Sequence, residues 1–253
     1  MSRPIALVMR APGTNRDQDV ALALDMAGAE PMIATAAEII ANPTLLSDAR
    51  IMVVAGGFSY ADALGAGRLL GHELASALGH EIRTHIGRGR PVIGICNGFQ
   101  ALVRAGLLPG GEIRGALGDN ESGRFDCRWV RLVPVSQRCI WTAGLTDEID
   151  CPIAHGEGRF ACDDATLARL IADDRVALRY RPGPGGETAN PNGSVADIAG
   201  VCDDTGLVLG LMPHPENHVM PRQHPMNGRR DGRHGAGLGL RLFEQGVRHA
   251  KER

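Results

Sequence analysis

Gly94-Ile95-Cys96-Asn97-Gly98 sets a sulfur nucleophile between two glycines. An apolar run, Pro91–Ile95, leads into it, and a helical pattern follows from Asn97 to Arg104. That is the layout of a nucleophile elbow, in which glycines make room for a sharp turn from strand to helix. A helix N-terminus stabilises negative charge on sulfur, and the Asn97 backbone N–H is placed to donate to an oxyanion. The same five residues also suit a structural cysteine where helix and strand pack closely, so the nucleophilic reading needs a base. His214-Pro215-Glu216 offers one, with a carboxylate to orient it. In an extended stretch, residues i and i+2 lie on one side, which puts Glu216 beside His214. Ala55-Gly56-Gly57-Phe58-Ser59 closes a further apolar run, Ile51–Ala55. It fits neither GxGxxG nor GxxxxGK[ST], so it reads as a tight turn supplying a second oxyanion donor rather than as a phosphate cradle.

Two other chemistries are weighed and set aside. His214, His218, His224 and His234 suggest a metal site, but HExxH is absent, Pro215 interrupts any helix, and no cysteine pair lies nearby, so no metal is expected. The six cysteines (Cys96, Cys127, Cys139, Cys151, Cys162, Cys202) stand singly, without CxxC, behind an N-terminus that lacks a secretory pattern. They read as reduced thiols of a cytoplasmic protein, the five besides Cys96 being small buried hydrophobes.

Strands and helices must carry these residues, and the first hundred residues alternate them. Ile5–Met9, Pro31–Ala34, Ile51–Ala55 and Pro91–Ile95 read as strands. Asn15–Ala27, capped by Thr14 or Asn15 and stopped at Gly28, reads as a helix, and Ala36–Ala41 as a short one. Leu70, Leu74, Leu78, Ile82 and Ile86 form an i, i+4 ladder along one helix face. Alternation of this kind predicts a doubly wound, mostly parallel α/β sheet flanked by helices. Beyond it, Phe125–Val135, Cys151–His155 and Val176–Tyr180 read as added strands. Asn192-Gly193 is a hairpin signal, with Val195–Cys202 and Leu207–Met212 as flanking strands. A final helix begins near Leu238. No linker composition or internal repeat divides residues 1–253, so one domain is expected.

Composition narrows the function classes. Hydrophobic residues make up 43% and charged residues 22%, ordinary for a globular chain and unlike a disordered one. The longest apolar runs fall far short of the ~20 residues a membrane helix needs. A net charge of −2 carries no electrostatic footprint of nucleic-acid binding.

GICNGFQ (Gly94–Gln100) together with MPHPE (Met212–Glu216) resembles the class I, or triad, glutamine amidotransferases. Within them, APGTN at Ala11–Asn15, GGFSYAD at Gly56–Asp62, NESGRF at Asn120–Phe125, AHGEGRF at Ala154–Phe160, NPNGS at Asn190–Ser194 and IAG at Ile198–Gly200 are similar, in order, to the glutaminase subunits of phosphoribosylformylglycinamidine synthase. The resemblance spans roughly residues 4–217 and fades after His218. It implies a flavodoxin-like amidotransferase fold, Cys96 as nucleophile, His214 as base, Glu216 as its partner, Gly57 as the loop oxyanion donor beside Asn97, and Gln100 as a contact for glutamine. It also implies no cofactor in this chain. ATP and Mg would act in a large synthetase subunit that takes the ammonia, with a small adaptor subunit as a further partner. Ala61 for Gly, Ala63 for an aromatic residue and Arg16 for Cys depart from the family's usual strings without removing a catalytic group. Two rivals remain: another amidotransferase or amidase, against which NPNGS and AHGEGRF speak, and a thiol-sensing scaffold, which has no use for His214 and Glu216. Phe58 and Tyr60 would be exposed for partner contact, or else packed into the core.

Overall fold

The computed structural model describes residues 2–181, 190–227 and 238–252. Strands β1 (Ile5–Arg10), β2 (Glu30–Thr35), β3 (Ile51–Val54) and β4 (Val92–Ile95) alternate with helices α1 (Asp17–Ala27), α2 (Ala36–Ala41), α3 (Thr44–Asp48), α4 (Arg68–Ser76), α5 (Gly79–Gly87) and α6 (Asn97–Arg104). There follow β5 (Ala116–Gly118), β6 (Asp126–Pro134), β7 (Ile149–His155), β8 (Arg159–Ala161), α7 (Asp164–Ala172), β9 (Val176–Arg181), β10 (Ile198–Cys202), β11 (Val208–Leu211) and α8 (Leu240–Glu252). Among the described residues, nine strands form one sheet in the order β2-β1-β3-β4-β11-β10-β9-β6-β7, and β5 pairs with β8. From β2 to β11 every pairing is parallel. From β11 to β7 every pairing is antiparallel. The expected mostly parallel α/β sheet with added antiparallel strands is what the chain forms.

The central strands of the parallel half are buried on both faces, whereas the edge strand β2 is mostly half-buried. All four residues of β3, of β4 and of β11 are buried, and continuous apolar runs suit strands sandwiched between helices. β1 lies between β2 and β3, so the chain winds outward and then back. In such sheets ligands bind outside the carboxyl ends of the strands, near that reversal.

Several details differ from the sequence reading. The Leu70–Ile86 ladder is two helices, α4 and α5, separated by Ala77 and Leu78. Leu70, Leu74, Leu78 and Ile82 are all buried, so the periodicity reported burial correctly and continuity wrongly. Helix α1 starts at Asp17, with Arg16 at the cap position and no side-chain cap; the Thr14 hydroxyl instead accepts the Ala11 N–H at 3.0 Å. Its end follows expectation, with Gly28 at φ 90°. Asn192-Gly193 lies in the connection between β9 and β10 and makes no tight hairpin; β10 and β11 pair through the turn at residues 203–207. Of the residues after His218, 228–237, including His234, lie outside the described ones, as do 182–189 of the turn-rich segment. Helix α7 carries its own signal, an Asp163 side chain that accepts the Thr166 N–H at 2.7 Å. All six cysteines are free, but Cys127 is exposed and Cys162 half-buried, so only three of the other five behave as core residues.

One packing constraint positions the site. Helix α6 lies so close to the sheet that a Cβ on Gly98 would overlap the Val54 carbonyl oxygen, and one on Gly94 would stand 2.7 Å from the Gly98 carbonyl oxygen. Gly98→Ala gains helix propensity of about 1 kcal/mol, but the atom it meets is backbone and cannot rotate away. A net loss of about 1–3 kcal/mol is expected, read as a lower denaturant midpoint at unchanged slope.

Candidate active site

Three adjacent parallel strands, β3, β4 and β11, end side by side, and each delivers one part of the site. Gly56 and Gly57 follow β3, Cys96 follows β4, and His214 follows β11 by three residues. Cys96 has φ 50° and ψ −106°, a backbone conformation that a residue with a Cβ rarely adopts. It is clamped there. Its N–H donates to the Leu211 carbonyl at 2.8 Å, and its carbonyl accepts the Gln100 N–H at 3.1 Å. The flanking glycines therefore serve both readings of the motif: they permit a sharp turn and also a close approach of helix to strand.

His214 meets this elbow from the side. Its Nδ1 bonds Glu216 Oε1 at 2.7 Å, and its imidazole lies near enough to the Cys96 sulfur for the two to influence each other's charge. With Nδ1 committed to the carboxylate, Nε2 is the nitrogen left for sulfur. Cys96, His214 and Glu216 are 5%, 3% and 1% exposed, so all three meet in a water-poor environment. Residues Pro215–Asn217 form a single 3₁₀ turn, and it is this turn, not strand alternation, that folds Glu216 back onto His214. The His214 N–H donates to the Pro152 carbonyl at 2.8 Å, which ties His214 to β7. Burial alone would disfavour a charged His214. The Glu216 carboxylate and the negative charge available on the Cys96 sulfur outweigh it and hold the imidazole up at about 10. Oε2 of Glu216 has no hydrogen-bond partner among the described residues.

The Gly56–Asp62 loop packs against both partners. A Cβ on Gly56 would stand 2.9 Å from His214 Cε1. Gly57 has φ 140°, in the region that favours glycine, and a Cβ there would come 2.6 Å from the Asn15 nitrogen. The Gly57 N–H donates no hydrogen bond among the described residues. Asn97 opens α6, where the first backbone N–H groups lack intrahelical acceptors. Its side chain joins the loop to the elbow: Oδ1 accepts the Ser59 N–H at 3.2 Å, and Nδ2 donates to Asp62 Oδ1 and Gln100 Oε1, both at 3.0 Å. Gln100 lies beside the elbow with its amide engaged at both ends, since Nε2 donates to the Glu157 carbonyl at 2.5 Å.

Strings that carried no chemistry in the sequence prove to wall the site. The Ala154 carbonyl lies 3.9 Å from Cys96 Sγ. Next to it, His155 is buried and held to a low pKa of about 4 by desolvation and by the charge of His214. Asn120 latches this segment: Oδ1 bonds His155 Nδ1 and the Gly158 N–H, and Nδ2 donates to the His155 and Arg124 carbonyls. Asn192 donates to the Gly158 carbonyl at 2.9 Å, and Ser194 Oγ accepts the Phe160 N–H at 2.9 Å. Recurrence of Asn at 120, 190 and 192 in turn-rich strings was the available signal, because Asn side chains satisfy loop backbone that no ladder reaches. Beyond the elbow, His218 Nδ1 donates to the Asp150 carbonyl at 2.6 Å and its ring packs edge-on to Trp129, so residues 218–224 cover the β6–β7 face. No group of three or more potential metal ligands occurs among the described residues.

An elbow cysteine at the mouth of a doubly wound sheet, with a carboxylate-bound histidine beside it, defines an amidotransferase type of site. The family model for CobB/CobQ-like glutamine amidotransferase domains matches residues 3–250, and the chain belongs to that family. It is 47% identical over 244 residues to the phosphoribosylformylglycinamidine synthase subunit PurQ of Treponema denticola, covering 87% of this chain and 90% of that one. The subunit of the same name from Dehalococcoides mccartyi is 40% identical over 260 residues and the full length of both chains. Among solved structures, the PurLQS structure from Thermotoga maritima contains a chain that superposes with a TM-score of 0.76 at 34% identity, covering 97% of this chain and 98% of that one.

The raised His214 pKa has a consequence for stability. Its folded value, about 10, lies above the ordinary 6.5, so the stabilisation is complete below about pH 6.5 and is lost as pH rises through about 10. Glu216→Gln removes the largest upward influence and leaves burial in place. His214 is then expected to titrate well below its wild-type pH in an NMR titration, and denaturation midpoints between pH 6.5 and 10 should fall. An unchanged titration would show that the carboxylate does not set the charge of His214.

Proposed function

We propose that Cys96, His214 and Glu216 hydrolyse the side-chain amide of glutamine. His214 Nε2 takes the thiol proton, and the sulfur attacks the amide carbon while Glu216 steadies the imidazolium through Nδ1. The backbone N–H groups of Gly57 and Asn97 hold the oxyanion. His214 returns its proton to the leaving ammonia, and water, deprotonated by His214, then releases glutamate from the thioester. Gln100 exchanges one of its present bonds for the substrate. The observation that carries this reading is the strained, buried elbow cysteine beside a histidine whose Nδ1 is committed to a buried carboxylate.

The chain is a glutaminase subunit. It converts glutamine to glutamate and passes ammonia to a synthetase subunit that makes formylglycinamidine ribonucleotide from formylglycinamide ribonucleotide in purine biosynthesis. Use of ATP belongs to that partner, and in our reading Mg accompanies it there, while this chain binds no cofactor. We read residues 1–253 as one glutaminase domain, cytoplasmic, assembled with the synthetase and a small adaptor subunit. No helix among the described residues is long and apolar enough to cross a membrane.

Cys96→Ser replaces the sulfur with a poor nucleophile. Glutamine-dependent turnover of the reconstituted complex should fall by at least ~10³, while ammonia-dependent synthesis by the partner stays near wild type. Loss of both activities would refute the division of labour.

A further inference from the structure

A cleft opens near the ends of β3 and β4 that lie farthest from Cys96. Arg50 stands immediately before β3 and Arg90 two residues before β4, whereas Gly57 and Cys96 follow those same strands at their other ends. Helices α3 and α5 pack together here and leave between them a cleft of about 260 Å³. Pro43, Leu46, Thr84 and His85 line it, with Arg88 and Arg90 beside them. Concave, mostly apolar sites with a few convergent polar groups and a titratable residue of perturbed pKa are where small molecules bind.

The polar groups of the cleft lack partners. His85 is 2% exposed, and neither Nδ1 nor Nε2 makes a hydrogen bond among the described residues. The Leu46 and Pro91 backbone lies near enough to favour a charged ring, but burial and the charge of Arg90 prevail and push its pKa down to about 4. A buried neutral imidazole is thus left with one donor and one acceptor unmet, a cost that native interiors rarely carry. The arginines show the same lack. Arg50, Arg88 and Arg90 form no ion pair among the described residues. Arg90 engages the protein through Nη1, which donates to the Ser47 and Ala49 carbonyls at the end of α3. A role in holding that helix end accounts for Arg90 and leaves Arg50 and Arg88 without one. Burial, then the charges of Arg50 and Arg88, hold the Arg90 guanidinium below its ordinary value against the pull of Asp48. Glu81 also borders the cleft, so two acids stand against three arginines.

We infer that this cleft binds a small organic anion, a phosphomonoester or carboxylate whose compact apolar body lies on Pro43 and Leu46 and whose charge meets Arg88, Arg90 and His85. A guanidinium fork matches the paired oxygens of such a group. The anion supplies an acceptor for His85 and offsets the repulsion among the arginines. It also changes the balance at the ring, because an opposite charge beside an imidazole favours its protonated form. Arg88, Arg90, Glu81 and His80 share the cleft with His85, and Arg50 and Asp48 flank Arg90, so that change is read at the His85 resonances themselves.

The test uses the full chain and three probes, phenyl phosphate, benzoate and benzyl alcohol, each followed by NMR titration. At least one of the two anions should bind in the millimolar range or tighter and shift residues 43–47 and 80–90, and benzyl alcohol should bind about 10-fold more weakly than that anion. Whichever anion binds tighter identifies the head group. Arg88→Gln alters a side chain that bonds nothing else among the described residues. It should leave the unliganded spectrum intact away from the cleft and weaken the preferred anion about 10-fold. Saturation with that anion should move the His85 titration upward from about 4, and His85→Phe should weaken binding while keeping the ring's bulk. Equal binding of benzyl alcohol would show an apolar cleft without anion recognition. Full affinity in Arg88→Gln would show an adventitious ion only. Shifts confined to the Cys96 mouth, or binding lost in Cys96→Ser, would place the anion in the other site. Each of these results would overturn the inference.

Discussion

Close approach of α6 to the sheet is the constraint from which the site follows. Because Gly94 and Gly98 carry no Cβ, the helix sinks onto β3 and β4, and the residue between strand and helix must turn within one peptide. Cys96 takes that turn at a backbone conformation it would not choose alone, held by Leu211 on one side and Gln100 on the other. Everything else comes to the sulfur. The loop after β3 brings Gly57, the turn after β11 brings His214 and Glu216, and α6 presents its unpaired N–H groups. A looser helix would relieve the cysteine and at the same stroke disperse these partners.

Much of this was legible because it depends on local chemistry. The strands of the parallel half are continuous apolar runs, and two of the short helices, α2 and α6, have the limits that their sequence pattern predicts. The elbow is spelled by five adjacent residues. What was not legible depends on distant partners. The break between α4 and α5 leaves the apolar spacing intact, so periodicity could not reveal it. The contact of Glu216 with His214 was anticipated for the wrong reason, since a proline-led turn achieves what alternation along a strand was expected to do. The strands β5 and β8 are three residues each and pair only across the site wall.

The site wall is where long-range order matters most. Three segments far apart in the chain, around Asn120, His155 and Asn192, satisfy one another's backbone groups and so hold the Glu157 carbonyl against Gln100. None of these asparagines faces the sulfur. They give irregular loop the definition that a sheet ladder gives to strands, which is why the strings were recognisable as signatures while their chemistry stayed hidden.

His214 and Cys96 follow β11 and β4, neighbouring strands that pair in register from Val208 with Val92 to Leu211 with Ile95. They are far apart in the chain, with six strands between them in sequence, and parallel pairing between such distant segments forms late because loop closure must precede it. A newly made chain therefore has its thiol long before it has His214 beside it. Until β11 docks, the cysteine is only a thiol in a half-built sheet, and its buried pairing with His214 and Glu216 arrives with the last central strand.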